Sequence, residues 1–302
     1  MSAFRNVTFF RMPKEFADEL SASELEARLA EHPLRHCGLS EMKSSGFVAP
    51  NPQSVALAIA EGPVIAVALG IEERIVPGAT LQALVQDKIA AYTAEKGKPP
   101  GGKTRRAIKE SALAELLPLT LVKPSTIRAL LNPAGGWVAL DTTSAPKADL
   151  LGASLRTALG TYPVIPVCKG EWAPRLSMTR WLADDAWPAG LAPGNTCSMK
   201  DPATGATARV GHQELDADEV KRHLKAGKQC QSLELTYFNR TSFVLHDKLT
   251  LSGFRLVGDA MDELKESDHE SADAEYHATL ALLAGELGDI LKAMDTWFAL
   301  PG

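Results

Sequence analysis

Asn6-Val7-Thr8-Phe9-Phe10-Arg11-Met12, rich in β-branched and aromatic residues, reads as a strand. Ser21-Ala22-Ser23-Glu24 is a capping box, so it predicts an amphipathic helix to about His32, with Leu25 and Leu29 on its buried face. Gly46-Phe47-Val48, Ser54–Ile59 and Val64–Leu69 read as strands. The turn Glu61-Gly62-Pro63 joins the last two as an antiparallel hairpin. From Thr80 to about Glu95, Leu81, Leu84, Val85, Ile89 and Tyr92 recur at helical spacing. A Gly/Pro-rich stretch interrupts this pattern, and a second helix runs from about Lys103 to Leu117, stopped near Pro118. The two predict an αα-hairpin that extends from the body.

Beyond it, Thr120–Lys123, Thr126–Leu131 and Gly136–Asp141 read as strands, Ala145–Leu159 as a helix and Tyr162–Val167 as a buried strand. Trp172 to Trp187 contains a short helix. Asn195–Met199 and Ala206–Gly211 flank a turn, and Asp216–Ala226 is a helix ended by Gly227. Gln229–Tyr237, Ser242–Leu245 and Lys248–Leu256 form a meander, and the last helix spans about Ser271 to Trp297. Strands and helices mix without steady βαβ alternation, which predicts an α+β fold with mixed antiparallel sheets. The expected parts are a central region (1–77 with 119–170), a helical hairpin (78–118) and an α+β base with C-terminal helices (171–302).

Composition adds little: of 302 residues, 45% are hydrophobic and 23% charged, ordinary for a soluble globular protein. The longest apolar runs, Val55–Ala60 and Val64–Leu69, are far short of the ~20 residues of a membrane helix. The N-terminus lacks a signal-peptide core, so a cytoplasmic protein is expected. Charge changes the picture more. From Asp259 onward there are eleven acids and two bases, a net of −9 within an overall −5, which leaves +4 on the preceding 258 residues. Base is concentrated in Lys96–Lys109, where Lys96, Lys98, Lys103, Arg105, Arg106 and Lys109 stand without an acid. Such segregation fits a protein that presents one face to a polyanion; a solvated acidic helix beside a neutral body fits as well.

The same segment spells Gly97-x4-Gly102-Lys103-Thr104, a P-loop pattern. A working P-loop follows a buried strand, whereas Asp87–Glu95 is helical, and Pro99 and Pro100 remove two amides from the phosphate nest. Trp137–Asp141 resembles a strand ending in a Walker B acid, a common arrangement without any nucleotide. Nucleotide binding through Gly97–Thr104 is therefore the alternative, and a nucleic-acid backbone the main reading. That reading needs only clustered mobile cations, which Lys88, Lys123 and Arg128 extend. A protein-interaction module working through the acidic C-terminal helix, and a merely solubilising basic loop, remain as further readings.

Other chemistry is weakly signalled. Cys37, Cys168, Cys197 and Cys230 have no Cys-x-x-Cys spacing and read as reduced thiols. His32, His36 and Cys37 lack a second ligand pair, so neither metal nor cofactor is expected. Ser177 and Ser242 lack a nucleophile elbow. His269 and His277 fall on an acidic helix, and Trp172, Trp181, Trp187 and Trp297 read as core or interface anchors.

Several modest motifs occur in a telling order. They are Phe4-Arg5-Asn6-Val7, Cys37-Gly38, Gly46-Phe47-Val48-Ala49-Pro50, Glu72-Glu73-Arg74-Ile75-Val76-Pro77 and Lys88-Ile89-Ala90. Leu116-Leu117-Pro118, Ser144–Ala148, Tyr162–Val167, Ala226-Gly227-Lys228, Leu233-Glu234-Leu235 and Leu283–Leu287 follow. In this order the chain resembles the RdgC family of bacterial recombination-associated proteins over nearly its full length. The resemblance implies a non-enzymatic, ring-shaped homodimer with a basic hole for duplex DNA. It further implies binding of single- and double-stranded DNA with little sequence preference, antagonism of RecA-promoted strand exchange and a nucleoid location. Lys123, Arg128, Lys147 and Arg156 are the candidate hole-lining charges beside the hairpin cations. Where family members carry an aromatic at a subunit contact, this chain has Leu121, and His212-Gln213 stands where they have a Lys-Gln pair; both departures bear on ring closure. His212 could add pH sensitivity, since imidazole titrates near neutrality.

Overall fold

Side-chain period and capping chemistry set most elements of the computed structural model, which describes residues 4–168, 174–266 and 271–300. In chain order they begin with β1 (Asn6–Arg11), α1 (Lys14–Glu19), α2 (Ala22–Leu29), β2 (Lys43–Val48), β3 (Ala58–Glu61), β4 (Val64–Arg74), α3 (Gly78–Lys96) and α4 (Gly102–Leu116). After a 3-10 turn at Leu117–Leu119 come β5 (Val122–Asn132), β6 (Trp137–Leu140), α5 (Ala145–Leu159), β7 (Ile165–Pro166), α6 (Pro174–Asp184), β8 (Leu191–Lys200) and β9 (Thr207–Val210). The chain continues through α7 (Asp218–Lys225), β10 (Gln229–Tyr237), β11 (Thr241–His246), β12 (Leu251–Leu256), α8 (Gly258–Glu266) and α9 (Ala272–Phe298). The expected mixed α and β architecture with antiparallel pairing is present. Trp172 and His269 lie outside the described residues.

The chain divides into two units: Met1–Glu31, Ala49–Ala68 and Ile127–Gly302 form the first, His32–Val48 and Leu69–Thr126 the second. In the first, β1 serves two neighbours: Asn6 and Val7 pair with β12, while Thr8 to Arg11 pair with β6. β12, β11, β10, β8 and β9 continue the sheet on one side, each antiparallel to the next. α9 packs its apolar stripe into this unit's core. Leu280, Leu283, Leu287, Ile290, Leu291 and Met294 are all buried, at the spacing of one helical face. Ser21 caps α2 as expected, its Oγ accepting from the Glu24 amide at 3.2 Å.

Four expectations need correction. α2 ends at Leu29 rather than His32. Ser54–Ile59 is not one strand; β3 begins at Ala58, because the Glu26 carboxylate takes the Leu57 and Ala58 amides, each at 2.7 Å. Thr120–Lys123 and Thr126–Leu131 fall largely in one continuous β5. Tyr162–Val167 is not a buried strand: only Ile165 and Pro166 pair, with β1, and both are exposed. Pro163 and Pro166 lack the amide a central strand must donate.

In the second unit, β2 lies beside the chain at His32–Leu34: the Leu34 amide donates to the Phe47 carbonyl at 3.0 Å and the Phe47 amide to the His32 carbonyl at 2.9 Å. Gly46 is required there, since a Cβ would sit 2.3 Å from the Pro33 oxygen. The unit also holds the end of β4, the α3–α4 hairpin and the start of β5, and α3 contains no buried residue.

Candidate nucleic-acid interface

The hairpin turn is built by its glycines and prolines. Gly97 ends α3 at φ +67°, its amide donating to the Thr93 carbonyl at 2.9 Å, a left-handed position that suits glycine. Pro100 is buried, and its carbonyl accepts from Arg105 Nε at 3.1 Å, which folds that side chain back over the turn. Lys88 reaches across to Glu115 at 2.8 Å and ties α3 to α4. The P-loop string thus joins two helices, with no strand before it. The Walker-like Asp141 is also engaged: its Oδ1 accepts from the Arg5 and Asn6 amides, and Oδ2 pairs with Arg128 at 2.6 Å.

The structure sorts the predicted cations by what already holds them. Lys96 meets Glu95 at 2.7 Å and Arg106 meets Glu110 at 3.1 Å, both on the surface. Such exposed pairs contribute only about 0–1 kcal/mol each, so a phosphate can replace the carboxylate. Lys98, Lys103 and Lys109 are exposed and have no ion-pair partner among the described residues. On α4, Lys103 and Arg106 share one stripe, and Arg105 and Lys109 the next. Lys123 is exposed at the start of β5. In the first unit, Lys147 and Arg156 are exposed on α5, whereas Arg128 is half-buried, paired with Asp141 and placed 5.5 Å over the Phe4 ring.

An apolar patch lies at the hairpin's exit that charge alone did not reveal. Leu119 and Leu121 are 80% and 82% exposed, although the Leu121 carbonyl is fixed by the Ile75 amide at 3.0 Å. Leu119 was missed in the sequence; the repeated leucines around Pro118 were the available signal. His212 is exposed at φ +59° before α7, with Gln213 half-buried beside it. Acid is less segregated than its sequence position suggests. Arg240 of the β10–β11 turn binds Glu263 at 2.7 Å and the buried Glu286 at 2.6 Å, and Arg11 pairs with Asp295. Among the described residues no three His, Cys, Asp or Glu side chains group as metal ligands, and no helix is long and apolar enough to cross a membrane.

A family model described as "Putative exonuclease, RdgC" matches residues 3–300. The chain belongs to the RdgC family. The Recombination-associated protein RdgC of Xanthomonas campestris pv. campestris (strain B100) is 37% identical, over 94% of this chain and 93% of its own. The protein of the same name from Xanthomonas axonopodis pv. citri (strain 306) is 35% identical over 97% of both chains. That of Stenotrophomonas maltophilia (strain R551-3) is 34% identical over 98% of both. The family description names an exonuclease and the relatives' names refer to recombination, so the presence or absence of chemistry must be argued from residues.

Proposed function

We propose that this RdgC-family protein is a cytoplasmic, nucleoid-associated homodimer that grips DNA without sequence preference and restrains RecA-dependent strand exchange, catalysing no reaction itself. The observation that carries this reading is the hairpin tip, where Lys98, Lys103 and Lys109 are exposed and without acidic partners next to the exchangeable Lys96 and Arg106. Cations held this way meet phosphates, contacts that carry no sequence information of their own. Lys123, Lys147 and Arg156 are exposed cations of the same kind; Arg128 contributes mainly to the internal pair with Asp141.

Gel shifts with unrelated duplexes across a salt series test the reading. Similar affinities are expected for all duplexes, falling steeply with salt. No binding at physiological salt overturns it. The same mixtures, incubated with magnesium or manganese, should release no nucleotides; progressive release from a DNA end would establish the exonuclease instead. Mg-nucleotide binding that is lost in Lys103→Ala would favour the P-loop alternative.

A further inference from the structure

Between α5 and the β1–β6 pair lies a cavity of about 440 Å³, within the size range of small-ligand sites. Phe10, Leu140 and Val164 give it apolar walls, and Gly152 keeps the α5 side thin. Tyr162 lines it while only 4% exposed, and its hydroxyl has no hydrogen-bond partner among the described residues. Among the described residues the sealed unpartnered atoms are Arg11 Nε and Thr241 Oγ1, and it is not one of them. The phenol oxygen therefore keeps access to open space, and the cavity is the space its ring lines. A hydroxyl that keeps access to open space and has no partner among the described residues can bond the polar edge of a ligand, so the site suits a ligand that carries one. Two charged residues complete the lining, Asp149 and Arg156, both exposed and without ion pairs among the described residues. Seven residues apart on α5, they share one side of the helix about 10 Å apart along its axis.

We propose that this cavity holds one unpaired nucleotide of a single DNA strand, with its base inside, its phosphate at Arg156 and an exocyclic amine at Asp149. The proposal rests on the DNA-binding reading above. A base has the required form, a flat apolar body with a hydrogen-bonding edge for Tyr162. Opposite charges at the two ends match a ligand with an anion at one end and a donor at the other. Asp149 gives the site a chemical preference: adenine, cytosine and guanine carry the amine, and thymine does not.

The test compares oligo-dC, oligo-dT and a duplex, each titrated against the full-length protein. Oligo-dC should bind more tightly than oligo-dT, and Asp149→Asn should remove the difference. Ala153→Leu, at an exposed α5 position lining the cavity, should weaken oligo-dC binding by about tenfold, the scale of one lost base contact, with duplex affinity unchanged. Tyr162→Phe removes a single oxygen and should cost roughly threefold to tenfold on oligo-dC. Folded variants that bind oligo-dC as tightly as the unmodified protein would overturn the cavity proposal alone. An unmodified protein that binds neither single strand nor duplex would overturn the DNA-binding reading with it.

Discussion

Arg74 shows how the second unit is held. It is 6% exposed, and its guanidinium reaches the carbonyls of Gly38 (3.1 Å), Leu117 (3.1 Å), Thr120 (3.0 Å) and Cys37 (3.3 Å). One side chain thus joins the Cys37-Gly38 loop to the residues that lead out of α4. Arg74→Met keeps the bulk and removes every donor, leaving carbonyls unsatisfied; a loss of roughly 3 kcal/mol is expected in urea denaturation. A midpoint like that of the unmodified protein would show that water replaces those bonds. The same loop carries an acid-sensitive pair. Hydrogen bonding to Arg35, reinforced by the Gly38 amide, lowers Glu41 from its ordinary 4.5 to about 2. A carboxyl with a depressed folded value contributes stability above its unfolded value and loses that contribution as pH falls through the folded one. A small part of the acid loss of thermal stability should therefore fall between pH 4.5 and about 2, on the scale an exposed pair contributes, and Glu41→Gln should remove that part. An unaltered limb in that variant would assign acid sensitivity to other carboxylates.

Among the elements, the α3–α4 hairpin is where charge was most legible and its allocation least. The run Lys96–Lys109 is visible in the sequence, but Arg105's return to Pro100 and the pairing of Lys88 with Glu115 are consequences of folding. Lys103→Ala, Arg105→Ala and Arg106→Ala together keep helix propensity in α4, so the fold should persist by circular dichroism. Affinity should fall equally for unrelated duplexes, and the salt slope should shrink by about 0.9 for each phosphate contact removed. An unchanged slope would place the DNA elsewhere. Long periodic elements such as α9, and capped ones such as α2, were legible because local chemistry and burial agree there; α3 was expected from its apolar spacing, yet buries no residue. α1 was not predicted, being only six residues and too short to show a decisive period, and α8 was expected only as one of the closing helices, without bounds of its own. Tyr162–Val167 misled because apolar character was present while two prolines denied it a ladder. β3 was displaced by Glu26, a partner distant in sequence that no local pattern reveals.

At the scale of the whole molecule the open matter is assembly. Leu119 and Leu121 present large apolar side chains to solvent from a backbone already fixed to Ile75. Burying a leucine contributes about 1.5–3 kcal/mol, so a two-fold contact that repeats such a pair gains from both copies. In the proposed dimer, Leu121→Glu would place an unpaired carboxylate against an apolar partner, where desolvation is costly. Light scattering at micromolar concentration should then report a dimer for the unmodified protein and a monomer for the variant. DNA binding should respond in a way that separates assembly from charge. Two linked tips bind a long duplex with an effective concentration that a single tip lacks. Leu121→Glu should consequently weaken binding to long duplexes more than to oligonucleotides too short to meet both tips, although no cation has been removed. The tip triple variant should weaken both alike. A Leu121→Glu monomer that retains full affinity for long duplexes would mean that one subunit suffices, and an unmodified protein that is already monomeric would remove the dimer from the proposal.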